Sequence, residues 1–399
     1  MPPWLPQFIT SMIVILVVLH LSLGAAAYLI LLERKVAAWV QDRVGPNRVG
    51  PMGLLQPIAD GLKLFMKEDF MPRGVDRMLF ILAPAFSAIP ALIGFVIIPW
   101  AGLFEFEEGK TVAIMGANVN IGVVYLVATA SLGVYGVGLG GWASNNKYSF
   151  LGGLRATAQM ISYEIPMGLA LLCVILTAGT LLPMEIVRQQ LDGQWFLIQQ
   201  PLAAALFFIC MLAEANRAPF DLSEAEQELV GGWHTEYSSM KWALFFLGEY
   251  VHVFVGAAFF TTLFLGGWSI NPVTGWDLPV LGTWWMILIQ FSIVLAKVFV
   301  VVAFGMMIRW TLPRFRFDQL MKLAWEGMIP LGLLMLLMTS FFVFIGWTQW
   351  LWAGSLGLLA IVWILLPALP QQSNPNRRVG MLGSRFSPPT DDAPSHIDA

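Results

Sequence analysis

Phe8–Lys35 reads FITSMIVILVVLHLSLGAAAYLILLERK, and the architecture follows from it. From Phe8 to Leu32 there is no carboxylate, lysine or arginine; then Glu33, Arg34 and Lys35 arrive together. A helix needs roughly 20 apolar residues to cross the hydrocarbon core of a bilayer. The apolar residues run on without alternation, which favours a helix over a barrel strand. No cation precedes the run and the run is long, so it reads as a first membrane span and not as a cleaved signal.

The rest of the chain repeats that texture. Of 399 residues, 58% are hydrophobic and 12% charged, about half the charged fraction of a soluble domain. Nine apolar segments fall at about 8–32, 79–101, 117–140, 157–182, 199–214, 242–267, 283–308, 328–348 and 351–369. The fifth is short, and only GWTQ at Gly346–Gln349 divides the last two. Short loops rich in Lys and Arg stay cytoplasmic. Eight cations follow the first span, from Arg34 to Arg77. Lys147 and Arg155 follow the third, and Arg217 and Lys241 the fifth. Arg309, Arg314, Arg316 and Lys322 follow the seventh, and Arg377, Arg378 and Arg385 lie in the tail. The opposite side has Lys110 and Arg188, and Lys297 lies inside the seventh span. Eight spans would put the basic tail on the wrong side. The expectation is an all-α, polytopic helix bundle with its N-terminus outside and its C-terminus inside. Residues 1–369 form the membrane domain, with an amphipathic inner loop at 33–78 and an acidic inner loop at 215–241. Residues 370–399 are polar and Pro-rich, the composition of a disordered tail.

Several functions are excluded by what the sequence lacks. Cys173 and Cys210 sit in apolar runs as small core residues. His20, His234, His252 and His396 have no ligand spacing, so no bound metal or iron–sulfur cluster is expected. No phosphate loop, dinucleotide fingerprint or nucleophile triad is present, and neither a nucleotide nor a nucleic acid is an expected ligand.

The first loop, Glu33–Asp69, reads ERKVAAWVQDRVGPNRVGPMGLLQPIADGLKLFMKED. Leu54, Leu55, Ile58, Leu62 and Phe65 recur at helical spacing, so Gly53–Met66 reads as a short amphipathic helix. Asp60, Lys63 and Lys67 share its polar face. Such a helix lies in the interface with its cations toward anionic lipid, or lines a polar site reached from the membrane. Glu164, Glu214 and Glu249 sit within or at the ends of three apolar segments. Acids there form structural ion pairs, with Arg155, Arg217, Lys241 or Lys297 in reach, or mark an ion path. Three acids in separate spans at similar depth favour a proton path. Leu212–Glu228, LAEANRAPFDLSEAEQE, adds Asp221, Glu224, Glu226 and Glu228 with Arg217 as its one cation. Crowded, partly desolvated carboxylates have raised and coupled pKa values, so some hold protons near neutrality. The inner end of the seventh span supplies Arg309, Arg314 and Arg316, which snorkel to lipid or close over an anionic or electron-accepting headgroup.

Four segments carry a family resemblance: the first-loop motif just quoted, GWASNNKYSFLGGLRATAQMISYE, EANRAPFDLSEAEQELVGGWHTEYSSMKWALFFLGEY and RWTLPRFRFDQLM. They resemble the H subunit of proton-pumping NADH:quinone oxidoreductase, respiratory complex I, in order from about Glu33 to Trp325. The resemblance implies that quinone enters from the bilayer through a tunnel this subunit largely builds. Arg34, Arg43, Asp60 and Lys63 would line the tunnel or its mouth. Glu164, Glu214, Asp221, Glu224, Glu226, Glu228 and Glu249 would form the start of the proton path. Arg309, Arg314 and Arg316 match the cationic end of the seventh span. NADH, FMN and the iron–sulfur clusters would lie in partner subunits. The implied partners are peripheral-arm quinone-site and terminal-cluster subunits, small membrane subunits, antiporter-like subunits and lipid. His234 and His252 are less typical of the family, and their titration range suits proton work. Length and the ninth span suggest a bacterial cytoplasmic membrane rather than a mitochondrial one. The competing readings are the membrane subunit of an energy-converting hydrogenase and a stand-alone channel or carrier.

Overall fold

The computed structural model describes residues 4–107, 110–221, 230–273 and 277–365. Glu224, Glu226, Glu228 and the tail at 370–399 lie outside the described residues. The chain divides into two units, 1–356 and 357–399, the second described only as helix up to Leu365.

Seven helices are long and apolar enough to cross a membrane. They are α1 (Leu5–Val40), α3 (Arg77–Gly94), α4 (Gly122–Ala143), α5 (Lys147–Ala178), α9 (Ser239–Phe264), α10 (Trp284–Thr311) and the helical stretch Phe317–Ile345. Two shorter apolar helices, α8 (Pro201–Glu214) and the stretch Thr348–Ile364, bring the described set to the nine segments expected. Short helices fill the connections: α2 (Gln56–Met66), α6 (Pro183–Asp192) and α7 (Phe196–Gln199). Local chemistry sets several ends. The Asp76 carboxylate accepts the amides of Met78 and Leu79 to start α3, satisfying donors that have no partner inside the helix. Gly179, at φ 65°, ends α5 in the left-handed conformation.

Several boundaries differ from expectation: α3 ends at Gly94 rather than near 101, and α5 starts at Lys147 rather than near 157. α1 does not stop at Leu32 but runs to Val40, so Glu33 and Arg34 are helical rather than loop residues. The first-loop helix starts at Gln56, not Gly53. Gly53 has φ +81° and a Cβ there would stand 2.2 Å from the Pro46 carbonyl oxygen, so it closes a turn instead.

Backbones approach closely where side chains are small, the usual way to pack helices without a hydrophobic drive between them. A Cβ on Gly136 of α4 would meet the Ser87 amide of α3 at 2.6 Å. At the cation-rich end, Phe80 stacks on Tyr237 at 4.1 Å, with Phe245 and Trp233 completing a buried aromatic cluster. Burial there pushes the Tyr237 phenol up, so it stays a neutral hydroxyl.

The opposite end holds a small sheet that the apolar pattern does not announce. Strands β1 (Leu103–Glu107) and β2 (Lys110–Ala113) are antiparallel, and β3 (Leu281–Gly282) adds in parallel to β1. Helix side chains stitch it down: Gln7 of α1 bonds both the amide and the carbonyl of Ala113, at 2.9 and 3.1 Å. Lys297 of α10 donates to the carbonyls of Leu265, Gly267 and Ser269 and lies 4.1 Å over the Trp195 ring.

Candidate functional site

Glu33 is the centre of the charged interior. Helical geometry turns neighbouring residues apart, so Glu33 faces inward while Arg34 faces out. Its carboxylate pairs with Arg309 from the last turn of α10 and accepts the Tyr250 hydroxyl of α9 at 2.7 Å. Arg217 joins it at 3.5 Å. The turn after α8 delivers that arginine: Gln159 of α5 donates to the carbonyls of Ala213 and Phe220 at 2.9 and 2.8 Å and to Asn216 at 3.1 Å. The chain reverses at Asn216, φ 48°, and the Arg217 amide returns to the Leu212 carbonyl at 3.2 Å. The guanidinium then lies 4.0 Å over the Tyr250 ring, and its second nitrogen reaches Glu249 at 3.5 Å. One cation thus spans two carboxylates on different helices.

Beyond Glu249 is a cavity of about 30 Å³ lined by Glu214, Asn216, Trp233, Glu249 and His252. By that measure it has room for one or two waters. Glu214, the last residue of α8, accepts from or donates to His252 Nε2 at 3.2 Å. Glu164 stands apart from this cavity. It receives the Ser131 hydroxyl from α4 and opens on a groove of about 370 Å³ between α4 and α5.

A larger cavity, about 330 Å³, opens between α1, α2 and α9. Arg34, Asp60 and Lys63 line it among apolar residues such as Leu31, Leu244 and Phe246. Arg34 pairs with Asp60 at 2.7 Å, and Gln56 donates to the other Asp60 oxygen at 3.1 Å. Ile58, Leu62 and Phe65 of α2 are exposed and form an apolar face at the surface. Arg43 is not in this group; its Nε bonds Gln41 at 2.7 Å.

The three arginines after the seventh span also separate. Arg309 turns inward to Glu33, Arg314 pairs with Asp221 at 3.3 Å, and Arg316 starts the short helix Phe317–Lys322. They do not form one cationic cluster. Of the cations weighed as partners for the membrane acids, Arg217 takes Glu249. Lys241 takes Asp69 at 3.0 Å, and Lys297 binds carbonyls. His234 belongs to the turn Gly232–His234 and is not among the residues lining the 30 Å³ cavity, whereas His252 lines it. Glu33 and Tyr250 carry the site without having been singled out from sequence. The signal that could have found Glu33 was its place in register with the apolar face of an uninterrupted helix.

A family model described as NADH dehydrogenase matches residues 12–340. A relative from Protochlamydia amoebophila, the H subunit of an NADH-quinone oxidoreductase, is 50% identical over 321 residues, covering 80% of this chain and 94% of its own. An NADH-quinone oxidoreductase H subunit from Geobacter metallireducens is 47% identical over 326 residues, covering 82% and 94%. One from Cytophaga hutchinsonii is 46% identical over 333 residues, covering 82% and 95%.

Proposed function

The chain belongs to the NADH dehydrogenase family, as a multi-pass membrane H subunit of NADH-quinone oxidoreductase, and from that premise we propose that it admits quinone and starts the proton path coupled to quinone reduction. The observation that carries the reading is the adjacency on α1 of Arg34, which lines the α1–α2–α9 cavity, and Glu33, which pairs with the buried cations. Arg34, Asp60 and Lys63 line the opening, and Glu33, one residue from Arg34, heads the chain of charges toward Glu249 and Glu214. A long-tailed quinone suits an opening with apolar walls and a few polar groups. Arg43, exposed and outside the cavity lining, acts only as a surface cation.

Quinone takes up protons as it takes up electrons, so charge changes at the end of the cavity. Arg217 is held by Glu33 and Glu249 together. Protonation of either carboxylate frees the guanidinium for the other, which gives the path a two-state element biased by charge. Glu249, His252 and Glu214 then share a cavity with room for a bridging water. Glu164 and Asp221 extend the path, and the family resemblance assigns Glu224, Glu226 and Glu228, which lie outside the described residues, to it as well. Arg309, Arg314 and Arg316 hold carboxylates and the inner surface in register rather than gripping a headgroup together. NADH, FMN and iron–sulfur clusters belong to partner subunits. Those partners are the peripheral-arm quinone-site and terminal-cluster subunits, the small membrane subunits and the antiporter-like subunits. The membrane is the bacterial cytoplasmic one, with residues 1–369 as the membrane domain. The relatives' shared name favours this reading over a hydrogenase subunit.

The test is Glu214→Gln in native membranes, with quinone reduction, proton translocation and complex content measured on one preparation. The expected result is normal assembly with reduction and translocation falling together at least ten-fold. Normal turnover and pumping in this variant would make the acids structural and sink the reading.

A further inference from the structure

We propose that His252 is a proton-holding residue of this path, acting with Glu214 as a buried imidazole–carboxylate pair rather than as packing. The inference rests on the proton-path reading and deepens it.

Glu249 and His252 are i, i+3 on α9, so they occupy one face on successive turns. Both line the 30 Å³ cavity. Arg217 holds the first at 3.5 Å, and Glu214 of α8 holds the second at 3.2 Å. Glu164 of α5 and Cys210 of α8 act on Glu214 electrostatically from outside the cavity, and the other elements line it with no further ionisable group among the described residues. α3 gives Ser87, α4 gives Gly133 and Val137, α5 gives Met160, and the inner turns give Asn216 and Trp233. Arg217 is the nearest cation, one carboxylate away. The Trp233 ring closes one wall of the cavity.

A polar ring in a membrane helix is costly unless it has work or a partner. A leucine or methionine would fill the same volume at lower cost if packing were the only requirement. The pairing gives the imidazole a specific capacity. With the proton on nitrogen, Nε2 donates to the carboxylate; with it on oxygen, the carboxyl donates to Nε2. The bond survives in both states, and no covalent bond other than N–H or O–H forms or breaks. A proton can therefore arrive at one ring nitrogen and leave through Glu214, with the second nitrogen giving the path an extra stop that a lone carboxylate lacks.

The experiment uses the whole complex in native membranes carrying His252→Gln, which keeps a hydrogen bond to Glu214 and cannot titrate. His252→Asn is made alongside, with Glu214→Gln as reference. Complex content is read from NADH oxidation by a hydrophilic electron acceptor, and coupling from quinone-dependent proton translocation between about pH 6 and 8, the histidine range. The expected result is unchanged content, a coupled rate lowered about ten-fold, and loss of the wild-type pH dependence in that window. A wild-type pH profile in either assembled variant overturns the proposal. So does failure of both variants to assemble, which assigns the ring to packing. If Glu214→Gln pumps normally, the proton-path reading itself has failed; if Glu214→Gln is impaired while His252→Gln is normal, only the histidine assignment has.

Discussion

Glu33→Gln tests the centre of the site most directly. The substitution keeps the size of the side chain and an oxygen for the Tyr250 hydroxyl. It removes the charge that faces Arg217 and Arg309. Removing one partner of a buried ion pair costs about 3–5 kcal/mol, because the other charge stays buried without compensation. Two features pull this case to the lower end. Arg217 keeps Glu249, and the Arg309 side chain is 24% exposed. The expected cost is about 3 kcal/mol, or roughly a hundred-fold in an equilibrium. It is read as faster irreversible heat inactivation of quinone reduction in native membranes at one temperature, a rate set by unfolding. Arg309→Met and the double variant complete a cycle. Contacting charges couple by about 0.5–3 kcal/mol, so the double variant should be less damaged than the two single effects combined. Strict additivity, within about 0.5 kcal/mol, would refute the claim that Glu33 and Arg309 hold the interior together.

Two further outcomes follow from the segment between α1 and α3. Arg34 and Asp60 are 46% and 29% exposed, so Asp60→Asn costs under about 1 kcal/mol of stability. If the pair meets the entering quinone, the variant raises KM for quinone several-fold with kcat kept, and an unchanged KM rejects that role. Gly53→Ala must fit a Cβ at φ +81° and 2.2 Å from a carbonyl oxygen. Strain of that kind costs about 1–3 kcal/mol, so amides in 41–55 should exchange at least ten-fold faster with solvent.

The sequence carried the spans well because burial in lipid leaves a crude signal. The nine apolar segments all correspond to helices, the short fifth among them. Side-chain destinations left a weaker one. Glu33 and Arg34 look like the start of a loop, yet α1 continues to Val40 and gives them different partners, Arg309 and Asp60. Arg217 reads as the counter-ion of the acidic loop that follows it. The turn pinned by Gln159 instead returns it to the interior, through contacts between residues far apart in the chain that no local pattern encodes. The strands at Leu103–Ala113 were missed because they are short and are held by side chains from distant helices, Gln7 above all. Arg309, Arg314 and Arg316 cluster in sequence and scatter in space, since they fall at the end of α10, in the turn and at the start of the next helix.

In host–guest terms, the loop after α9 is a receptor and Lys297 its tethered guest. Three carbonyl oxygens and the face of Trp195 converge on one ammonium, the donor set that would suit a small free cation. The tether makes occupancy independent of the salt outside. It also makes the position exacting. A compact ammonium with three donors pointing in different directions fills the receptor, and a flat, forked guanidinium of the same charge does not. Keeping the charge is therefore a poor guide to tolerance at this end of the protein, where shape complementarity to the cation decides which residue can stand there.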